Sequence, residues 1–469
     1  MAVSGTVPTE LGDKRIRDLL MQYAVPAIIA MTASSLYNMV DSIFIGHIKD
    51  VGSYAISGLA VTFPLMNLAT ALGTLVGVGA STILSMLLGQ KNYGAANKVL
   101  LNEVMLNVII GVLFSIVTLA FLDPILMFFG ASGNTLPYAR DYMLIILIGN
   151  VITHLYFGLN NIIRASGNPK LAMTLTIFTV VSNAVMDPIL IFVFGMGIKG
   201  AAVATVLCQM LALTYTLKYF FDQKNFLHLP RRIRDYRLDP RIVKDSLTVG
   251  LGPFLMNSAS CIVTMFINQQ LLKYGGDLAI GAYGIVNRIS FFFVMINMGF
   301  NQGMQPIAGY NFGARKYSRV KRVFKLTMIC ATAVSIVGFL VSELVPDMAV
   351  SLFTNDAELK ELADKGLRIM NLAFALVGFQ MVSTNFFQSL GMVHKSIFLS
   401  LSRQLLFLVP LIYFLPVFFG HKGVWMSFPI ADSISIVFTA ALIMALFRKF
   451  RKLEDGDDPS ILGSKIKQA

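Results

Sequence analysis

The sequence predicts an all-α membrane protein with about 12 transmembrane helices arranged in two pseudo-symmetric six-helix lobes. Of its 469 residues, 56% are hydrophobic and 13% are charged, which is more apolar surface than a soluble domain buries in one core. Apolar runs of about 20 residues or more, each long enough to cross a hydrocarbon layer of about 30 Å as a helix, recur along the whole chain. One long polar interval divides these runs into two equal groups.

The apolar runs between polar breaks give the predicted spans. In the first half they lie near 19–45, 54–88, 99–122, 138–163, 170–194 and 200–222. In the second half they lie near 246–273, 278–312, 322–345, 363–390, 396–419 and 424–447. We therefore predict an N-terminal lobe over 1–222, a cytoplasmic linker over 223–245, a C-terminal lobe over 246–450 and a cytoplasmic tail over 451–469.

Positive charge marks alternate loops of the predicted bundle. The net charge is +13, and Lys and Arg cluster in the polar segments 91–98, 164–170, 231–241, 315–322 and 448–452. Short cytoplasmic loops carry such an excess, so the pattern predicts a multi-pass protein of the cell membrane with both termini in the cytoplasm. Because topology accounts for the charge, we expect a lipid bilayer as partner and no nucleic acid. The three cysteines lie inside apolar runs without metal-ligand spacing, so we expect no cofactor.

A weak internal repeat relates the two halves. Four residues recur 224 positions later, as the pairs Gly79 and Gly303, Gly89 and Gly313, Tyr93 and Tyr317, and Val99 and Val323, with Lys91 matched by Arg315. Two six-helix units in series keep the same orientation, which predicts parallel repeats with a binding site between them near the bilayer midplane. The other interpretation is chance similarity between basic loops.

Acidic residues inside apolar helices are costly, so each one needs a partner or a water-filled cavity and indicates a transport pathway. Asp41 in the first span follows Tyr37 and Asn38 at helical spacing, so these three side chains share one face. The plainer interpretation is that Asp41 meets water near the outer end of its helix. Asp432 in the twelfth span has no Asn companion, and we expect it to serve packing or to face water.

Asp187 in the fifth span has the strongest set of companions. Asn183 precedes it by four residues, and Pro188, which has no N–H, frees the carbonyl of Ala184. Thr205 in the sixth span can add a hydroxyl. Hard cations such as Na⁺ select oxygen ligands of this kind, so the pattern predicts a cation site. The alternative is a carboxylate that only satisfies a helix broken by proline.

Other polar and flexible positions are candidates for a substrate cavity. Asn257, Asn287 and Gln302 are polar residues of the second half that either line a cavity or join helices by hydrogen bonds. Met173 offers adaptable apolar surface or packing. Pro26 breaks the first helix about four turns before Asp41 and is a candidate hinge.

Several motifs resemble those of the multidrug and toxic compound extrusion (MATE) transporters, and nearly the whole chain is covered. The most specific pair is SNAVMDP at 182–188 with GMGIKGAAVAT at 195–205. Further motifs are GVGAST at 77–82, GQK at 89–91, RASGNP at 164–169 and NFGAR at 311–315. The acidic residue in the first helix is typical of the DinF-like branch. The resemblance implies the MATE/MOP-type fold.

The resemblance implies a secondary antiporter, not an enzyme, that exports amphipathic and often cationic compounds while H⁺ or Na⁺ runs inward. The cation site of that branch corresponds to four residues here, Asp41, Asn183, Asp187 and Thr205, with Tyr37 and Asn160 or Asn161 nearby. In some members of the family the first helix bends at its proline when the cation is exchanged. The resemblance therefore implies that Pro26 is a hinge. We expect small amphipathic molecules as substrates and a monomeric protein.

The sequence leaves two other classes of protein as alternatives. A lipid-linked precursor flippase of the same superfold needs a large cationic cavity, whereas intramembrane arginine is limited mainly to Arg288 and Arg403. A membrane-embedded transferase needs a cluster of acid and His or metal ligands at one interface. The five histidines are instead scattered, at His47, His154, His228, His394 and His421.

Overall fold

The computed structural model describes residues 10–46, 52–230, 232, 235–354 and 356–458, and for residues 37–43, 46, 52–54, 56, 57, 60 and 277 it describes the backbone alone. Across these ranges the regular structure is helical, and they contain no β-strand. The helices follow from the solvent, because a segment surrounded by lipid must satisfy its backbone hydrogen bonds internally.

The helices are numbered in chain order. The first half contains α1 (Glu10–Asp13), α2 (Ile16–Gly46), α3 (Gly52–Gly89), α4 (Tyr93–Ala120), α5 (Leu122–Phe128), α6 (Leu136–Ile148), α7 (Asn150–Ala165), α8 (Pro169–Pro188) and α9 (Ile198–Phe221). The second half contains α10 (Pro240–Gly313), α11 (Tyr317–Leu344), α12 (Pro346–Ser351), α13 (Ala357–Met370), α14 (Val377–Ser389), α15 (Val393–Leu401), α16 (Val409–Phe419) and α17 (His421–Phe450). Two π-helical segments, Ile189–Val193 and Ser402–Leu408, extend α8 and α15, and a 3₁₀ turn, Phe374–Leu376, precedes α14.

The number of membrane-length helices agrees with the prediction. Ten described segments are long and apolar enough to cross a bilayer, and the number is 12 if two bent helix pairs each count as one span. Helix α10 supplies two of the ten, Pro240–Gly276 and Leu278–Gly313, because Gly276 breaks it with a φ of 67°. The predicted fold class is therefore confirmed.

The fourth and tenth spans are bent, which the sequence analysis did not predict. Helices α6 and α7 meet at 55°, and α13 meets the 3₁₀ turn and α14 at 48°. At the first bend, a Cβ atom on Gly149 would overlap with the side chain of Val206 on α9. At the second, Asn371 donates to Ser342 Oγ at 2.8 Å and accepts from Ser290 Oγ at 3.1 Å. Both bends therefore depend on contacts with other helices.

The internal repeat is present in the backbone. Lys91 and Arg315, which are 224 residues apart, adopt φ angles of 59° and 55° and are the described non-glycine residues with positive φ. Their turns carry the same hydrogen bonds, since Lys91 N–H donates to Leu88 O and Arg315 N–H donates to Phe312 O, each at 3.1 Å. L-residues seldom adopt this conformation, so its recurrence at matched positions argues against chance similarity.

The chain forms two compact units that do not coincide with the two halves of the sequence. The first unit includes Thr32–Phe254, and the second includes Gly12–Met31 together with the described residues from Leu255 onward. Helix α2 therefore contributes its first part to the second unit, and α10 contributes its first part to the first unit. The division of α2 falls five residues after Pro26.

Glycines allow very close helix packing inside each unit. In the first unit, Cβ atoms on Gly79 and Gly250 would overlap with the carbonyls of Ser246 and Leu75, so α3 and the start of α10 touch backbone to backbone. In the second unit, a Cβ on Gly303 would lie 2.7 Å from Ala24 N on α2. Each of the repeated glycines therefore packs against the first long helix of the other half of the sequence, Gly79 against α10 and Gly303 against α2. Small residues allow such close helix packing in membrane bundles.

The segment after α17 folds back on the loop between α10 and α11 in the second unit. Gly456 N–H donates to Arg315 O at 2.9 Å, and Tyr317 Oη donates to Asp457 O at 2.8 Å. The Asp455 carboxylate accepts from Ser318 N–H at 2.8 Å and from Ser318 Oγ at 2.5 Å, so it caps the first turn of α11. Partial burial acts to raise the pKa of Asp455, but the hydrogen bonds from Ser318 and from the Tyr317 backbone, together with the charge of Lys321, lower this pKa below its ordinary value.

We predict that acid releases this segment. Because the docked pKa is lowered, the contribution of Asp455 is present above the pKa of the free carboxyl, about 3.9, and is lost as pH falls through the docked value. A nitroxide attached at Lys452 should become mobile only in strong acid in the wild type and already at neutral pH in Asp455→Asn. Glu454→Gln is the matched control, and equal mobility in both variants would contradict the prediction.

Candidate cation site

The predicted site begins with a buried carboxyl at the end of α8. Asp187 is 0% exposed and Asn183, one turn earlier, is 2% exposed. The α-helical part of α8 ends at Pro188, and the chain continues as the π-helical segment Ile189–Val193. π-Helical turns often occur at functional sites. Here the π-helical segment directly follows Pro188, which cannot donate a backbone hydrogen bond. The sequence prediction of a proline-broken helix beside Asp187 agrees with this geometry.

Helix α9 brings a hydroxyl to the same place. Asn183 Nδ2 donates to Thr205 Oγ1 at 3.4 Å, and Thr205 Oγ1 donates to Ala201 O at 3.0 Å. One turn further along α9, Cys208 Sγ lies 3.4 Å from Met186 Sδ, the residue before Asp187 on α8. The Asn183 amide and the Thr205 hydroxyl therefore meet across α8 and α9, one helical turn from the buried Asp187.

The glycine-rich turn between α8 and α9 allows these two helices to pack closely. Gly195 and Gly197 have φ angles of 64° and 56°, a conformation that favours glycine, and Gly197 O accepts from Gly200 N–H at 2.9 Å. A Cβ on Gly200 would lie 2.8 Å from the carbonyl carbon of Leu190. The glycines of the GMGIKG motif thus allow α9 to start directly against the π-helical segment.

Of the other predicted residues of this site, the structure describes the side chains of Asn160 and Asn161. The side chains of Tyr37, Asn38 and Asp41 lie outside the described residues, although the backbone of α2 at these positions belongs to the first unit. Asn160 is buried between α7 and α8, where its Nδ2 donates to Ala172 O at 3.0 Å and its Oδ1 accepts from Arg164 Nη2 at 3.3 Å. Asn161 donates to Phe157 O of its own helix at 3.0 Å.

The cavity candidates are distributed over both units. Met173 on α8 is half-buried, and Asn257 and Asn287 on α10 are exposed within membrane spans. Exposed amides in a span favour a water-filled surface over lipid. Gln302 Nε2 lies 3.3 Å from Met31 Sδ on α2. Pro26 is buried in α2, which continues through it as one helix from Ile16 to Gly46.

Asp432 has a partner that the sequence analysis missed. Arg403 Nε donates to Asp432 Oδ1 at 2.6 Å, from the π-helical segment Ser402–Leu408 to α17. Of the two expectations for Asp432, packing agrees with its 5% exposure, and exposure to water is wrong. The sequence contained the information needed to predict this pair, because Arg403 and Asp432 are opposite charges in neighbouring apolar spans.

Glu103 on α4 is a buried acid that the sequence analysis did not consider. It lies only four residues inside the predicted span 99–122, whereas α4 begins at Tyr93. The described residues contain no group of three or more His, Cys, Asp or Glu side chains placed to hold a metal ion.

Membrane-length helices with buried carboxyls define a polytopic transport protein. A family model described as MatE matches residues 26–189 and 249–414, and the chain belongs to this family of multidrug and toxic compound extrusion transporters. The predicted family is confirmed, and the protein is a transporter and not an enzyme. A transferase is thereby excluded, and the flippase alternative is not favoured.

Relatives cover nearly the whole chain. The multidrug export protein MepA of Staphylococcus aureus (strain MSSA476) is 29% identical over 429 residues, which are 92% of this chain and 93% of MepA. MepA of Staphylococcus haemolyticus (strain JCSC1435) is 27% identical over 427 residues, with 91% and 93% covered. A solved structure of the MATE multidrug transporter DinF-BH is 36% identical, covers 97% of this chain and 100% of its own, and has a TM-score of 0.88.

Proposed function

We propose that this transporter is a secondary antiporter that exports amphipathic, cationic compounds in exchange for inward H⁺ or Na⁺. The names of the MepA relatives and of DinF-BH support multidrug export. The buried Asp187, with Asn183 and Thr205 beside it, supports a cation site in the first unit. Asp41 completes the proposed site, since α2 places its backbone in the same unit.

The proposed mechanism is competition for a charged pocket. A buried carboxylate is expensive unless a cation or a proton neutralises it, and two carboxylates that share a site cannot both stay ionised without one. Asn183 and Thr205 supply oxygen ligands that suit Na⁺, and either carboxyl can instead take up H⁺. Cation binding then favours one conformation of the carrier only by its differential affinity for the two states. Export follows if the drug favours the other conformation.

The coupling can be tested with the purified protein in sealed vesicles loaded with ethidium. A Na⁺ gradient and a pH gradient are imposed separately, and efflux is recorded by fluorescence. We expect one of the two gradients to accelerate efflux over protein-free vesicles. Efflux that responds to neither gradient would contradict antiport, and ethidium that is chemically altered would contradict transport without catalysis.

We propose that both termini and the linker after α9 lie in the cytoplasm, because positive charge favours alternate loops. In a background without the native cysteines, Lys224→Cys should resist a membrane-impermeant maleimide applied to intact cells. Asn134→Cys, in the exposed loop between α5 and α6, is the matched control and should be labelled. The reverse pattern of labelling would show that the orientation is inverted.

A further inference from the structure

A second polar stripe lies inside the first unit, on helices α4 and α7. Helices α4 and α7 pack against each other, and both pack on α3. Each contributes three residues at a spacing of four, which places them on one face of the helix. The stripe on α4 is Glu103, Asn107 and Gly111, and the stripe on α7 is Asn150, His154 and Gly158.

Glu103 and Asn107 form a close pair over Gly158. Asn107 Nδ2 donates to Glu103 Oε1 at 2.5 Å. A Cβ atom on Gly158 would overlap with Glu103 Oε1 and Asn107 Nδ2, so the missing side chain on α7 is what makes room for the pair. The other oxygens of the pair, Glu103 Oε2 and Asn107 Oδ1, are buried and have no hydrogen-bond partner.

His154 adds a third acceptor one helical turn away. Its Nε2 lies 3.0 Å from Ala69 O on α3, and because a carbonyl can only accept, Nε2 must carry the hydrogen. The neutral ring then has a lone pair on Nδ1, which is buried and has no hydrogen-bond partner. Nδ1 faces α4, since it would lie 3.5 Å from a Cβ on Gly111.

The stripe therefore contains three buried acceptors and no donor for them. Glu103, Asn107 and His154 are 1%, 0% and 1% exposed. Leaving one buried polar atom unpaired costs about 1–3 kcal/mol, and an unpaired buried charge costs far more. One added donor hydrogen on Glu103 Oε2 would pair it with Asn107 Oδ1 and so satisfy two of the three atoms.

Among the described residues, the helices around Glu103 hold no cation that is paired with it. The sequence of α3 contains no Lys, Arg, His, Asp or Glu. On α7, the ionisable groups besides His154 are Arg164, which donates to Asn160, and Tyr156, which accepts from Thr179 Oγ1 at 3.2 Å. The linker approaches α4 at Asn102, through the backbone N–H of Asp239. Helix α6 holds its charges in ion pairs near the other end of α4, Arg140 with Asp123 and Asp141 with Lys199.

We propose that this stripe is a proton-binding site in which Glu103 carries a proton on Oε2 at neutral pH. Protonation turns one of the three unpartnered acceptors into a donor. The neutral acid and the Asn107 amide can then form a pair in which each donates once and accepts once. The site is separate from the cation site at Asp187, and the proposal does not depend on antiport.

A proton suits this site better than a metal cation. Na⁺ selects several oxygen ligands, whereas the unpartnered atoms here are two oxygens and one imidazole nitrogen spread over adjacent turns. A proton needs only one donor–acceptor pair, and the Glu103–Asn107 geometry already provides it. Deprotonation at alkaline pH would leave an uncompensated charge between α4 and α7, so it should loosen the packing of these helices.

The test is infrared spectroscopy of the full-length protein, reconstituted in lipid, with Glu103→Gln as the variant. Glutamine has the shape of the neutral acid and can donate to Asn107 Oδ1, so the variant should fold with an unchanged melting temperature at neutral pH. The difference spectrum should contain the C=O stretch of one protonated carboxyl. Glu358→Gln, at an exposed position on α13, should instead remove carboxylate bands.

Three results would overturn the proposal. The first is a wild-type minus Glu103→Gln spectrum that shows carboxylate bands at neutral pH. The second is displacement of the C=O band by NaCl but not by KCl, which would make the stripe a Na⁺ site. The third is failure of Glu103→Gln to fold, because a neutral isostere can replace a neutral acid. The proposal further requires that alkaline pH lower the melting temperature of the wild type more than that of Glu103→Gln.

Discussion

Asp187→Asn and Asp41→Asn should each reduce gradient-driven export at least about tenfold, which corresponds to a loss of about 1.4 kcal/mol or more in cation binding. Asn keeps the shape and hydrogen bonding of Asp but removes the negative charge, so the site can no longer bind and release a cation. Asp187 is fully buried beside Asn183 and Thr205, which cannot replace that charge. Ethidium efflux from vesicles under the effective gradient measures the loss.

The double variant Asp41→Asn with Asp187→Asn should be no worse than either single variant. Residues that act in one network are non-additive, so the second substitution finds little coupling left to remove. Asp141→Asn is the matched control, because Asp141 belongs to the same unit and pairs with Lys199 at 3.2 Å on the surface. It should retain most of the transport. Losses that multiply in the double variant would mean that Asp41 and Asp187 do not share a site.

Hydropathy was sufficient to predict where the helices lie, because a helix that crosses lipid must be apolar over about 20 consecutive residues. The predicted span 54–88 corresponds to α3 at Gly52–Gly89, and the predicted span 200–222 corresponds to α9 at Ile198–Phe221. The same rule cannot place bends such as the one at Gly149. No proline marks that position, and the close approach of Val206 that accompanies the bend comes from a residue 57 positions away. Tertiary contacts therefore decided what the sequence left open.

The sites show the same division between local and distant information. Asn183, Asp187 and Pro188 lie within six residues, so one helical turn was enough to predict that they act together. Glu103 and Asn107 also have helical spacing, but their importance depends on Gly158, which leaves room for them from α7. Asp432 and Arg403 are 29 residues apart and meet only after α15 and α17 pack. A pattern of residues along one helix does not reveal which residue of another helix will contact it.

The ion pair between Arg403 and Asp432 gives the second large prediction, which concerns stability. Asp432→Leu should destabilise the second unit by about 3–5 kcal/mol, because removal of one member of a buried pair leaves the other charge uncompensated. The side chain of Asp432 is 7% exposed and that of Arg403 is 26% exposed, so water reaches the arginine only in part. Thermal unfolding of the purified protein, followed by loss of its monodisperse peak, measures the effect.

The double variant Arg403→Met with Asp432→Leu should recover most of that stability. Apolar side chains of similar volume remove both charges together, and such replacements of a buried ion pair are often neutral or stabilising. Arg368→Met with Asp364→Leu is the matched control, since that pair, at 3.3 Å, lies on the more exposed face of α13 and should matter little. If the double variant at Arg403 and Asp432 is as unstable as Asp432→Leu, the pair is not held together by charge. Recovery of stability without recovery of transport would instead show that the pair serves the transport cycle as well as the fold.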